Sequence, residues 1–239
     1  MAEPPPLITG PTSSQRTGPT TRQLAIGLFL GLVIRLLLLP LPGSPDVGSW
    51  KMWTFAGAFD ATSLYGVGGT PPERRMMHWR GIAGTTEYPP LAIYEMSLVG
   101  RAYRAIDPAF EDTPTLTALV KTPGILLELV FVVALLTWGR ARLGGAASWI
   151  ALAFWLNPAI VLNGAALGYL DAEMAVPAAL AIIAGAAGAP AVAGALLAAA
   201  IMTKAQAIFV APAVLFATLT AQRRGAGDSS AAMFAGSSS

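Results

Sequence analysis

The chain has no cysteine, a single histidine and few charges, with Asp, Glu, Lys and Arg together making 12% of its 239 residues. Without cysteine there is no disulfide framework, no thiolate metal site and no thiol nucleophile, and the redox compartment leaves no trace. The lone His78 cannot build a histidine metal site. Soluble domains carry roughly a quarter of their residues as charges. This shortage, with 54% apolar residues and a mean hydropathy of +0.60, makes lipid the solvent of most of the chain. The net charge of +2 comes from a few arginines beside apolar runs. No basic field of the kind nucleic acid requires is present, and membrane orientation is the better use for those arginines. A phosphate-cradling glycine loop and a long-period repeat are also missing.

What is present are apolar runs. A membrane span needs about 20 mostly apolar residues, and six regions approach or reach that length: 23–42, 115–138, 146–163, 170–188, 190–203 and 204–222. The expected fold class is all-α, a polytopic membrane helical bundle with interfacial helices in a long first outer loop, residues 43–114. The first run lacks a small-residue cleavage pattern and reads as a retained signal anchor. The leader, residues 1–22, holds three consecutive prolines, and the tail, 223–239, is small and polar; both are expected to be disordered. The short run 190–203 leads through Lys204 into the next, as a helical hairpin or a broken helix turning there. Tyr88 to Val99 is short, opens beside two prolines and contains Glu95, so it is expected to lie along the interface. With six alternating spans, Arg16, Arg22, Arg140, Arg142, Arg223 and Arg224 fall on one side, as the positive-inside rule requires. The other polar residues then converge on the outer face.

Asp46 follows the first span and precedes an aromatic stripe through Trp50, Trp53, Phe55 and Phe59. Its carboxylate suits a general base, while an Asp before a helix is ordinarily an N-cap. Glu73, Arg74, Arg75, His78, Trp79 and Arg80 form a basic, aromatic cluster that suits a phosphate or anionic headgroups. Inside the spans, Arg35, Lys121 and Glu128 should face the bundle interior, because an ionisable group in hydrocarbon costs a few kcal/mol or more. An Arg35–Glu128 pair is the structural expectation. Asp171 either caps a span or serves a site. Lys204, with Gln206 beside it, either snorkels to headgroups or grips a lipid phosphate.

The order of these features resembles the GT-C superfamily of polyprenyl-phosphate-sugar-dependent glycosyltransferases. The likeness is greatest to the glucosyltransferases of N-glycan precursor assembly, with bacterial polyprenol-phosphate-mannose-dependent mannosyltransferases next. It is carried by Asp46, Trp50 and Trp53, Leu64-Tyr65, Glu87-Tyr88-Pro89-Pro90-Leu91 with Tyr94, Leu156-Asn157-Pro158, Gly168-Tyr169-Leu170-Asp171 and Lys204-Ala205-Gln206, and covers roughly Arg35 to Pro212. The resemblance implies a hexose transfer with inversion, from a polyprenyl-phosphate-sugar donor to a lipid-linked or glycan acceptor hydroxyl. It places this on the extracytoplasmic face of a bacterial plasma membrane or of the endoplasmic reticulum membrane. Asp46 would be the base; Trp50, Arg74, Arg75, His78, Glu87, Tyr88, Lys121, Asp171, Lys204 and Gln206 would hold substrate. No metal and no cofactor is expected, since relatives of this type place one acidic residue where metal-dependent ones carry two, and Asp46 has no acidic neighbour.

Glu87 and Tyr169 stand where Asp and Gln are more common in the family. Family members are also usually longer, with more spans and a second outer loop. A front module completed by further sequence or by a second polypeptide is therefore expected. A non-catalytic polyprenyl-phosphate-binding module is a further reading. A transporter would show two comparable halves with broken segments, and only the turn at Lys204 fits that.

Overall fold

The computed structural model describes residues 18–65 and 76–236, the last twelve of these by their backbone alone. Arg16, Glu73, Arg74, Arg75 and most of the leader therefore lie outside the described residues. The chain is mostly helical. Helix α1 (Thr21–Leu38) starts at a capping box in which Thr20 and Gln23 satisfy each other's backbone N–H groups. Proline opens four of the later helices, where its missing N–H and fixed φ cost nothing. These are α3 (Pro90–Ile106), α4 (Pro114–Ala134), the single turn α7 (Pro158–Val161) and α9 (Pro190–Thr203). Between them lie α2 (Asp46–Asp60), α5 (Arg140–Leu143), α6 (Ala146–Trp155) and α8 (Asp171–Ala186), and α10 (Ala211–Gly236) closes the chain. Wider π-helical turns, Leu135–Gly139 and Leu162–Leu167, join α4 to α5 and extend α7.

Among the described residues, three helices are long and apolar enough to cross a membrane: Thr21–Leu38, the continuous Pro114–Leu143 and Ala205–Arg224. A fourth is formed if Ala146–Trp155 and Pro158–Leu167, bent by 42° at Asn157, act as one span. The six expected spans are thus reduced on length. Helices α8 and α9 have 16 and 14 residues, and at about 1.5 Å per residue they fall short of a 30 Å hydrocarbon layer. Helix α10 runs on to Gly236, into the stretch 223–239 for which disorder was the expectation. Its alanines 226, 231, 232 and 235 favour helix over coil.

Helix α1 meets the bundle along one stripe only: Gly27, Gly31 and Arg35 are its buried residues, four apart. A methyl group on Gly31 would sit 2.3 Å from the Trp155 indole nitrogen, so only glycine admits that ring. Trp155 donates in turn to the Leu28 carbonyl at 2.9 Å. This small-xxx-small contact is the usual device where lipid supplies no hydrophobic drive. The Arg35 guanidinium, one turn further on, donates through Nε to Glu128 at 2.8 Å and through Nη1 to the Trp155 carbonyl at 2.8 Å, and lies 3.7 Å over the Trp155 ring. The expected ion pair therefore forms, with both side chains buried.

The first loop is a packed layer. Helix α3 buries Ala92, Ile93, Met96, Ser97, Gly100 and Tyr103 on one face and lies against α2, sharing a core with Trp50, Trp53 and Leu116. Within this loop the structure adds a β-hairpin that an all-α reading lacks. Strand β1 (Met77–Trp79) pairs antiparallel with β2 (Ile82–Gly84). The turn between them, Arg80-Gly81, has positive φ at both residues, 46° and 82°, as a two-residue hairpin loop demands. Period-two alternation turns Met77 and Trp79 into the core and His78 outward.

Candidate functional site

The site begins where three chain segments are tied together. Lys121 of α4 donates to the carbonyls of Leu41 (2.7 Å), Ala165 (3.2 Å) and Ala166 (2.9 Å). It joins the end of the first helix to the π-helical turn that follows α7. The Ser44 N–H donates to the Leu167 carbonyl at 2.8 Å, and the Trp50 indole N–H to the Gly168 carbonyl at 3.0 Å. Gly168 has φ 74°, and a methyl there would meet Lys121 Cε and Val47 Cγ2 at 2.8 Å. Both the left-handed backbone and the close approach require glycine. Lys121, expected as a substrate contact, is thus a buried tie with its three donors used. The tie sets Asp46, two residues beyond Ser44, relative to Asp171, three beyond Gly168.

Asp46 is the first residue of α2, and its side chain makes no capping hydrogen bond, so the N-cap reading is corrected. Among the described residues its exposed carboxylate has no ion-pair or hydrogen-bond partner. It lines a cleft of about 300 Å³ with Ser49, Trp50, Trp53, Thr85, Glu87 and Tyr88. Two expected site carboxylates, Asp46 and Glu87, thus face one space. Its aromatic wall is a tight trio: Trp50 to Trp53 at 4.9 Å, Trp50 to Tyr88 at 5.1 Å and Trp53 to Tyr88 at 5.4 Å between ring centroids. Offset and edge contacts of this kind hold rings rigidly. The Tyr65 hydroxyl anchors the trio by donating to the Tyr88 carbonyl at 2.9 Å. Burial, with Tyr94 nearby, pushes that hydroxyl up to about 12, so it stays protonated as a donor.

Lys204 approaches Tyr88 as well. Its backbone is extended between α9 and a short 3-10 helix, Ala205–Val210, so the chain breaks there as expected. The ammonium lies 5.7 Å from the Tyr88 ring centroid and donates to Asp171 at 2.7 Å. Asn163 supplies a second donor to Asp171, at 3.2 Å. Asp46, Trp50, Glu87, Tyr88, Asp171 and Lys204 therefore form one connected constellation through Tyr88. Gln206 is exposed and has no partner among the described residues. His78 is exposed on β1 opposite Ala83 and is not among the residues that line the cleft.

One pairing was not foreseen. Glu173 sits on α8 two residues after Asp171, which turns it about 200° away from Lys204. It is buried, and its carboxyl lies beside that of Glu95 of α3. Burial pushes the Glu95 carboxyl up to about 7, against a smaller lowering effect of Glu173. Both residues were visible as acids in apolar company, but spacing gives no sign of partners 78 positions apart.

No family model matches the chain, and no curated protein matches it either.

Proposed function

We propose that the chain is an integral membrane glycosyltransferase. It moves a hexose from a polyprenyl-phosphate-sugar to a lipid-linked or glycan acceptor hydroxyl on the extracytoplasmic face, with inversion. The observation that carries this reading is the unpartnered Asp46 carboxylate in a cleft shared with Glu87 and a rigid aromatic wall, with the Lys204 ammonium on the far side of Tyr88. Asp46 takes the proton of the acceptor hydroxyl. The freed oxygen attacks the sugar C1 from the face opposite the phosphate. The bond from C1 to the phosphate oxygen breaks, leaving its electrons on the phosphate. A cation held where that charge grows stabilises the transition state, and Asp171 fixes Lys204 for this role.

The distribution of arginines supports the orientation. Gly18 lies against Gly145, so Arg22 and the Arg140–Arg142 turn share one end of the molecule. Arg223 and Arg224 end the apolar stretch Ala205–Arg224, which starts beside Lys204, so they too lie away from the site. A cytoplasmic arginine end puts the constellation on the other side.

The test is transfer from radiolabelled polyprenyl-phosphate-hexose to a membrane extract by the purified chain. Asp46→Asn should lower the rate about 10²- to 10⁴-fold, the usual contribution of a general base, while donor binding persists. Wild-type transfer by that variant refutes Asp46 as base. Donor binding by the native chain with no turnover, alone or with a second polypeptide, refutes the enzyme.

A further inference from the structure

At the opposite end of α8 from Asp171, two apolar clefts adjoin. One, of about 380 Å³, lies between Trp138, Arg142, Ile183, Ala187 and Val192; the other, of about 200 Å³, shares Trp138, Arg142 and Ile183 with it. They exist because α8 presents alanines to the segment that joins α4 to α5, where larger side chains would close the gap. Trp138 is 62% exposed at the rim. Arg142 is exposed and has no hydrogen bond or ion pair among the described residues, and neither cleft is lined by an acidic residue. Arg140, two residues earlier, adds a second positive charge to the same end.

We propose that this end of the bundle holds one anionic phospholipid, its phosphate on Arg142 and one acyl chain in the trough along Ile183, Ala187 and Val192. The charge is complementary: an unpartnered guanidinium offers the planar fork that suits a phosphate. Basic pockets between membrane helices take such headgroups, and each arginine near the surface contributes about a fivefold preference. Trp138 beside the trough suits the headgroup boundary, where indole rings concentrate. An amphiphile satisfies apolar walls and cation together, which inorganic phosphate does not.

The test uses the full chain in bilayer discs of zwitterionic phospholipid containing a minor fraction of brominated lipid. The readout is the quenched tryptophan emission that Trp138→Phe removes. Brominated phosphatidylglycerol should quench this component severalfold more than brominated phosphatidylcholine, and inorganic phosphate should not displace it. Arg142→Gln should abolish the preference, Arg142→Lys should keep part of it, and Arg140→Gln should leave most of it. Ala187→Leu, which fills the trough and keeps the arginine, should also weaken it. Equal quenching by both lipids, or a preference that survives Arg142→Gln or Ala187→Leu, overturns the site. An effect of Arg140→Gln equal to that of Arg142→Gln shows diffuse surface attraction instead, and overturns it too. If Arg142→Gln does not fold, the Arg142→Lys and Ala187→Leu results decide.

Discussion

Replacing Arg35 by Met should be among the most damaging single changes in the bundle. Arg35 and Glu128 are 0% and 1% exposed, so neither can turn to water when its partner is lost. The two replacements are not equivalent. Glu128→Leu leaves Arg35 with the Gly31 and Trp155 carbonyls and the Trp155 ring, whereas Arg35→Met leaves the Glu128 carboxylate with no donor among the described residues. Breaking a buried pair by removing one member costs about 3–5 kcal/mol, which is at least a hundredfold in the folding constant. Arg35→Met should fall in that range and Glu128→Leu below it. The double variant, with apolar groups of similar volume, should recover most of the loss, because neither charge is then stranded. Folded fraction against increasing SDS in mild-detergent micelles, measured for all four proteins, gives the cycle. If the double variant loses as much as the two single losses combined, the two residues do not depend on each other and the pair is not what holds α1 to α4.

Gly168→Ala puts a methyl against Lys121 and Val47 at a left-handed backbone position, and should cost at least about 1 kcal/mol in the same assay; a neutral result would mean that the tie around Lys121 is slack. Trp50→Phe keeps an aromatic ring and loses the bond to the Gly168 carbonyl, with an expected cost of about 1 kcal/mol and, under the proposed function, a fall in transfer as Asp46 loosens relative to Asp171. The Glu95 carboxyl, raised by burial to about 7, binds a proton when folded that it releases when unfolded at mildly acidic pH. Its stabilising contribution is complete below the unfolded value of about 4.5 and is lost as pH rises through about 7. Unfolding midpoints should therefore fall between those values and Glu95→Gln should flatten the slope; an unchanged slope in that variant assigns it elsewhere.

Much of the helical layout was legible because its signals are local. The long apolar runs act within a few residues of their own position, and proline at helix starts and the Thr20–Gln23 capping box were readable in principle for the same reason. The Arg35–Glu128 pair was also legible, since the bilayer leaves so few partners for a buried charge. The glycine stripe on α1 was readable in principle as Gly27 and Gly31 at a spacing of four, with Arg35 next. The hairpin was not, because Arg80-Gly81 is an unusual pair for a two-residue turn and its strands have three residues each. Length misled the count of spans. The runs at α8 and α9 are apolar enough, but turns at Ala187–Ala189 and Lys204 cut them short.

For the site, residue type was informative and residue company was not. Asp46, Trp50, Glu87, Tyr88, Asp171 and Lys204 stood out in the sequence as polar or aromatic groups at the ends of apolar runs, and they do connect. His78 stood out equally and is exposed without lining the cleft, because strand alternation buries Met77 and Trp79 and leaves His78 outside the core. Lys121 stood out as a costly charge, and only the folded chain supplies the three carbonyls that use it.

By itself the sequence determined the apolar character, the helical content and the set of groups with chemistry to offer, because each follows from transfer energies and backbone propensities that act locally. The tertiary structure alone decided which of those groups meet. Lys204 faces Asp171, Glu173 lies beside Glu95, and Asp46 has no partner among the described residues, since helix register and crossing set direction and neither is written in any one segment.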